Sequence, residues 1–157
     1  MLLTGCFSRS IDDKLRVAIP IKVRTVLEGP DKGAIFVAPG TDGSLAIYAE
    51  SAFSRLAERL AEASPTRQDV RAYTRLFYAQ AQQVELDVQG RVRIPPELAA
   101  WAGLQKDVVL LGVQDHLELW AADRWAAYLA EKQPHYDRIA EAAFDPPTTE
   151  RSSSTTI

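Results

Sequence analysis

The sequence predicts an α+β chain built from two tandem copies of one β-hairpin/helix unit. The copies pack about a pseudo-two-fold axis, with helices between and after them. Three observations carry this. Residues 12–20, Asp-Asp-Lys-Leu-Arg-Val-Ala-Ile-Pro, and residues 87–95, Asp-Val-Gln-Gly-Arg-Val-Arg-Ile-Pro, share the pattern D-x-x-x-R-V-x-I-P at an offset of 75. An apolar run, Ala34-Ile35-Phe36-Val37, is answered in order by Val108-Val109-Leu110-Leu111. A second run, Leu45-Ala46-Ile47-Tyr48, is answered by Leu117-Glu118-Leu119-Trp120 at an offset of 72. The slip of three is assigned to the turns at 39–44 and 113–116, because insertions collect in turns.

Each copy reads the same way. Ile11 and Leu86 end a short β-run that enters the D-x-x-x-R turn. A second run, 16–19 or 91–94, alternates polar and apolar residues at the period of a half-buried strand. Proline then opens a short helix, where its missing N–H costs nothing. In the second copy Pro95-Pro96 begins that helix and Gly103 closes it. A hairpin follows, and then a helix near 51–63 or 123–133. The first of these gathers Phe53, Leu56, Ala57 and Leu60 on one face, and Pro65 ends it. A further helix near 66–79 gathers Val70, Tyr73, Leu76 and Phe77 and links the copies. Trp101, Trp120 and Trp125 fall at apolar positions and are expected in the core. Residues 148–157 are rich in Ser and Thr without apolar periodicity, the pattern of a disordered tail. The expected division is 1–50, first repeat; 51–80, linking helices; 81–124, second repeat; 125–147, helical segment; 148–157, tail.

Bulk properties narrow the class. At 157 residues, 46% hydrophobic and 25% charged, the composition is that of a globular chain. One copy of roughly 50 residues buries too little apolar surface to stand comfortably alone, so two copies sharing a core are expected. The single cysteine, Cys6, excludes a disulfide within the chain and suits a reducing compartment. Small residues precede Cys6, yet a charged leader and an apolar core segment are missing, so a lipoprotein signal is not expected. No run approaches the roughly 18 apolar residues of a membrane span, and the cytoplasm is the expected location.

The net charge is −3, which weighs mildly against a nucleic-acid partner. The cations are nonetheless concentrated. Arg9, Lys14, Arg16, Lys22 and Arg24 fall within sixteen residues, and Arg91 and Arg93 sit in the second motif. The acids Glu50, Glu58, Glu62, Asp69, Glu131 and Glu141 lie in the helices and linker. A basic hairpin face on an acidic body fits local phosphate contact.

Asp and Arg four apart across a tight turn can meet. The carboxylate can accept from backbone N–H groups or from the guanidinium, holding the arginine extended. Two readings stay open from the residues alone: a pair that maintains the fold, or an arginine aimed at guanine O6/N7 and phosphate on DNA. Enzyme chemistry finds no support. His116 and His135 lack partners at metal spacing, no phosphate-cradling glycine loop is present, and no serine sits in a nucleophile elbow. No catalytic residue, metal or cofactor is expected.

The duplicated motif, with Gly5, Phe7 and Ser10-Ile11-Asp12 at its entrance and Ala102-Gly103-Leu104 and Val113–Trp120 after the second copy, resembles the MraZ family over roughly residues 1–140. The resemblance implies AbrB-like (SpoVT-AbrB) swapped-hairpin repeats duplicated in one chain, a ring-shaped homo-oligomer and association with the nucleoid. It also implies binding to double-stranded DNA at direct repeats upstream of the division and cell-wall gene cluster, with repression of that cluster. The DNA-contact candidates are Asp12, Lys14, Arg16, Asp87, Gln89, Arg91 and Arg93. The family usually has glycine before the motif arginine. Gly90 keeps it, but the first copy has Leu15. A leucine is costly at positive φ, so the first turn is expected either to take another geometry or to present Arg16 differently. Alternatives are an oligomeric scaffold without a DNA role and a general AbrB-like transition-state regulator. An antitoxin would carry one hairpin domain and a toxin-binding tail, against which the duplication argues.

Overall fold

Two antiparallel sheets organise the chain, seen in a computed structural model that describes residues 2–145. The strands are β1 (Cys6–Ser10), β2 (Arg16–Ala18), β3 (Ile35–Pro39), β4 (Leu45–Ala49), β5 (Gln82–Val84), β6 (Arg91–Arg93), β7 (Asp107–Val113) and β8 (His116–Ala121). The larger sheet runs β1-β7-β8-β4-β3-β5, and β2 pairs with β6 in a separate ribbon. Exchanging the strands of one copy for their equivalents in the other reverses the larger order onto itself. The copies therefore trade strands. β1 pairs with β7 of the second copy, with Ser8 opposite Val109, and β5 pairs with β3 of the first, with Gln83 opposite Phe36. Repeat-equivalent residues face each other at both centres, Val17 opposite Val92 in the ribbon and Ala46 opposite Glu118 between β4 and β8. A pseudo-two-fold axis passes through both pairs.

In the ribbon alternation turns Val17 and Val92 inward, while β4, β7 and β8 of the larger sheet bury consecutive residues. Val17, Val37, Leu45, Ile47, Val92, Ile94, Leu110, Leu117 and Leu119 are fully buried. Two short helices add side chains to the same core. α1 (Ile21–Glu28) buries Val23 and Leu27, one turn apart. α4 (Pro96–Trp101) buries Leu98 and Ala99, with Ala102 just beyond it. The helices α2 (Glu50–Glu62) and α3 (Gln68–Gln80) connect the copies and dock aromatics on the β3–β4 hairpin. Phe53 stacks on Phe36 at 4.3 Å between ring centroids and approaches Phe77 at 5.9 Å. α5 (Ala122–Lys132) follows β8.

The chain divides into two units, Met1–Trp125 and Ala126–Ile157. The second holds the rest of α5, a 3-10 turn at Gln133–His135 and α6 (Tyr136–Phe144), which has no buried residue. The tail expected at 148–157 lies outside the described residues. Among those residues no helix is long and apolar enough to cross a membrane.

Three expectations need correction. The slip of three does not fall wholly in the hairpin turn. The pairings of β1 with β7 and of β5 with β3 make Phe36 equivalent to Val109, an offset of 73, so two of the three residues are absorbed before the hairpin. Both runs are apolar throughout, so no alternation was present to set their register. Trp101 is not core. It is 41% exposed, because Leu98, Ala99 and Ala102 already fill the inward arc of α4. On α3, Phe77 is buried and stacks with Tyr73, while Leu76 is 63% exposed. Trp120 is buried as expected, and Trp125 is half-buried with its ring 5.4 Å from that of Trp120.

Candidate nucleic-acid interface

Each D-x-x-x-R segment folds into the same turn. In the first, the Asp12 N–H donates to the Arg16 carbonyl (3.1 Å) and the Leu15 N–H to the Asp12 carbonyl (3.0 Å). In the second, Asp87 donates to Arg91 (2.9 Å) and Gly90 to Asp87 (2.9 Å). The carboxylate occupies the mouth of the turn. Asp12 Oδ1 accepts from the backbone N–H of Lys14 (3.0 Å) and Arg16 (2.8 Å), and Oδ2 accepts from Arg16 Nε (2.6 Å). Asp87 repeats this with Gln89 (2.9 Å), Arg91 N–H (2.9 Å) and Arg91 Nε (2.8 Å). The carboxylate thus takes both kinds of donor that the sequence left open. Because each arginine is held through Nε, its terminal nitrogens point onward as a planar fork.

The donors set the charge state of the turn. The backbone N–H of Arg16 foremost, then its side chain and the Lys14 N–H, hold the Asp12 carboxyl below its ordinary value against the opposing effect of burial. Asp87 is lowered the same way by Arg91 and Gln89. Both aspartates are about one-third exposed, and Arg16 and Arg91 retain 31% and 27% side-chain exposure.

The ribbon register then gathers the arginines. Arg16 lies opposite Arg93, and Ala18 opposite Arg91, on the face away from the buried Val17 and Val92. Directly opposed β-carbons lie about 4.5–5.5 Å apart and diagonal neighbours about 7–8 Å, and like charges so placed repel. Arg16 and Arg91 are neutralised by their aspartates. Arg93 is exposed, with no ion-pair or hydrogen-bond partner among the described residues. A purely fold-maintaining role explains the two Asp–Arg pairs but not a third guanidinium set against Arg16. At the turn tips Lys14 and Gln89 are exposed, and Val88 is wholly so.

The expectation for Leu15 is overturned. The first turn keeps the geometry of the second, with Leu15 at φ 61° and Gly90 at φ 75°. Leu15 packs against the core, and contact of this kind offsets the backbone cost. Each turn is also pinned by the opposite copy: Ile94 N–H donates to the Leu15 carbonyl (2.8 Å), and Ile19 N–H to the Gly90 carbonyl (2.9 Å).

Of the other cations, Arg9 lies on β1, over the Phe7 ring at 6.0 Å and bonded to the Ser8 carbonyl (2.8 Å). Lys22 is exposed on α1, and Arg24, further along α1, lies over the second turn. The sequence shows Arg24 among the clustered cations, but its place at the second turn is set by long-range packing. The signal was the size inversion between the copies, Arg24 with Gly90 against Ala99 with Leu15. His116 pairs with Asp115 (2.8 Å) and Glu118 (3.4 Å), and Glu118 accepts from Trp120 Nε1 (3.0 Å). Among the described residues no group of His, Cys, Asp and Glu could hold a metal ion.

A duplicated, strand-exchanged α+β chain with a two-stranded arginine ribbon defines a swapped-hairpin protein of the AbrB-like class. A family model described as "MraZ protein, putative antitoxin-like" matches residues 77–146. A protein of Heliobacterium modesticaldum named Transcriptional regulator MraZ is 37% identical over 145 residues, covering 92% of this chain and 98% of that one. Relatives of the same name from Symbiobacterium thermophilum (39% identical; 87% and 96% covered) and Lactiplantibacillus plantarum (39%; 90% and 97%) agree. The chain belongs to the MraZ family.

Proposed function

We propose that this chain is a sequence-specific DNA-binding transcriptional regulator that acts through the β2–β6 ribbon and its two turns. The observation that carries this is the gathering of Arg16, Arg91 and Arg93 on one exposed face, two of them aimed by aspartates and the third unpaired. A two-stranded ribbon fits the major groove, which is about 12 Å wide. Forked guanidiniums suit guanine O6/N7, and the exposed Lys14 and Gln89 at the turn tips suit phosphate and base edges. The relatives named as transcriptional regulators support the same function. The −3 net charge is no obstacle, since phosphate contact depends on local charge, and Lys14, Arg16, Arg91 and Arg93 stand together at the ribbon and its first turn.

The finer reading follows the family. The chain assembles into a ring and binds direct repeats upstream of the division and cell-wall gene cluster, its own promoter included. Occupying that promoter represses it, and the protein resides on the nucleoid in the cytoplasm. One ribbon offers few contacts and binds weakly, but several on a rim engage successive repeats, and effective concentration multiplies them. Direct repeats suit rotational symmetry better than an isolated two-fold dimer, which favours palindromes. The outer strands β1 and β5 and the exposed Tyr73 and Leu76 of α3 provide surface for such assembly. Fluorescence anisotropy on DNA from upstream of the gene, against a scrambled duplex across a salt series, tests this. Preference for the upstream DNA, with affinity falling steeply as salt rises, is expected. Equal binding to both at every salt concentration would favour a scaffold instead.

A further inference from the structure

The two turns share a backbone but receive their second arginine by different routes. At the first turn it comes across the ribbon, where Arg93 stands opposite Arg16. The equivalent place beside Arg91 is held by Ala18, which brings no charge. Yet the second turn is not short of a cation. A β-carbon on Gly90 would overlap the guanidinium of Arg24, which lies directly over the turn. Arg24 comes from α1, in the opposite copy, just as Arg93 comes from the copy opposite the first turn. The repeat partner of Arg24 is the buried Ala99, and that of Gly90 is Leu15, so the first turn has neither the arginine nor the space for it.

Among the described residues the Arg24 guanidinium has no ion-pair or hydrogen-bond partner, while the backbone N–H of Arg24 donates to the Pro20 carbonyl (2.9 Å). It lines an open cleft of ≈ 590 Å³ with Asp87 and Val88, where Glu28, Lys32 and Glu85 are the other charges. Asp87 is already committed to Arg91. A half-buried, unpaired guanidinium resting on a glycine beside a turn aimed at DNA is placed for an anion that arrives from outside.

We infer that Arg24 is a phosphate-contacting residue of the second turn, the counterpart there of Arg93 at the first. The inference rests on the DNA-binding reading above. Each end of the ribbon then carries two arginines, one aimed by an aspartate and one delivered from the other copy. The loss of symmetry at Ala18 and Ala99 is thereby balanced.

The test measures binding of the full chain to upstream and scrambled DNA over a salt series, for the wild type, Arg24→Ala, Arg24→Lys and Arg93→Ala. Arg24→Ala is expected to weaken binding to both DNAs by the same factor and to flatten the slope of log K against log salt by about 0.9 for each phosphate no longer neutralised. The preference between the DNAs should stay unchanged, because phosphate contacts carry no sequence information. Arg24→Lys should restore the slope, and Arg93→Ala should reproduce the loss. Wild-type affinity and slope in Arg24→Ala would overturn the inference alone. So would a loss that Lys does not rescue and that comes with a lower melting temperature, which would make Arg24 a packing residue. A wild type that prefers neither DNA would overturn the DNA reading and this inference together.

Discussion

Leu15 and Gly90 occupy the same place in two turns of one design, and both adopt the left-handed backbone, at φ 61° and 75°. Only Gly90 does so without steric cost, and its missing side chain also leaves room for Arg24. Gly90→Ala is therefore expected to destabilise the protein by about 1–2 kcal/mol from the backbone alone. It should also displace Arg24. A lower urea midpoint with an unchanged m-value checks this, and an unchanged midpoint would show that the turn tolerates a side chain.

Val17 and Val92 face each other on the axis with no exposed surface. Replacing either with Ala deletes two buried carbons and leaves a void, which costs about 2–3 kcal/mol. Because the two side chains meet across the ribbon, the double variant should lose less than the two single losses added together. Denaturant melts of the four proteins give the coupling. Strict additivity would mean that the two residues pack independently.

The turn aspartates make stability sensitive to acid. Asp12 and Asp87 titrate below their ordinary value in the folded chain, chiefly because the backbone N–H groups of Arg16 and Arg91 donate to them. Groups lowered in this way stabilise the fold fully above the unfolded carboxylate pKa of about 3.9. Their contribution disappears as pH falls through the lower folded value. Melting temperature should thus fall below about pH 4 in the wild type, and fall less steeply in Asp12→Asn/Asp87→Asn. Parallel profiles would remove the aspartates from the effect.

His116 acts in the opposite direction. Its pKa is raised, first by the hydrogen bond to Glu118, with burial opposing and Asp115 assisting. The Asp115 contact is shorter, but Glu118 is the more buried carboxylate, at 21% exposure against 36%, so its influence is less screened. A raised pKa stabilises the fold fully below the unfolded value of about 6.5, and that stability is lost as pH rises through the folded value. Melting temperature should decline modestly from about pH 6.5 upward in the wild type, and His116→Gln should remove that decline.

The motif spacing made much of this visible in advance. An Asp and an Arg four apart, written twice, located both turns and their bracing, and the strand alternation located Val17 and Val92. The proline–glycine punctuation located α4. What stayed hidden is long-range. That Arg93 faces Arg16, and that Arg24 crosses onto Gly90, depends on strands and helices traded between copies some 75 residues apart. Local pattern does not encode such pairing. Register was equally hidden where a run is apolar throughout, as in β3 and β7. Leu15 misled for a different reason. Its backbone conformation is unfavourable in isolation, and only its packing against the core makes the family's turn available to it.

The measurement that bears most directly on the central claim is made on Arg16→Ala/Arg91→Ala, with DNA binding and light scattering followed on the same sample. If the aspartate-held arginines read DNA, specific binding to the upstream fragment falls by about tenfold or more per arginine. The mass in solution and the cooperative melt should then match those of the wild type. Undiminished specific binding would contradict the claim. So would a double variant whose mass or melt departs from the wild type's, which would make the two Asp–Arg pairs supports of the fold.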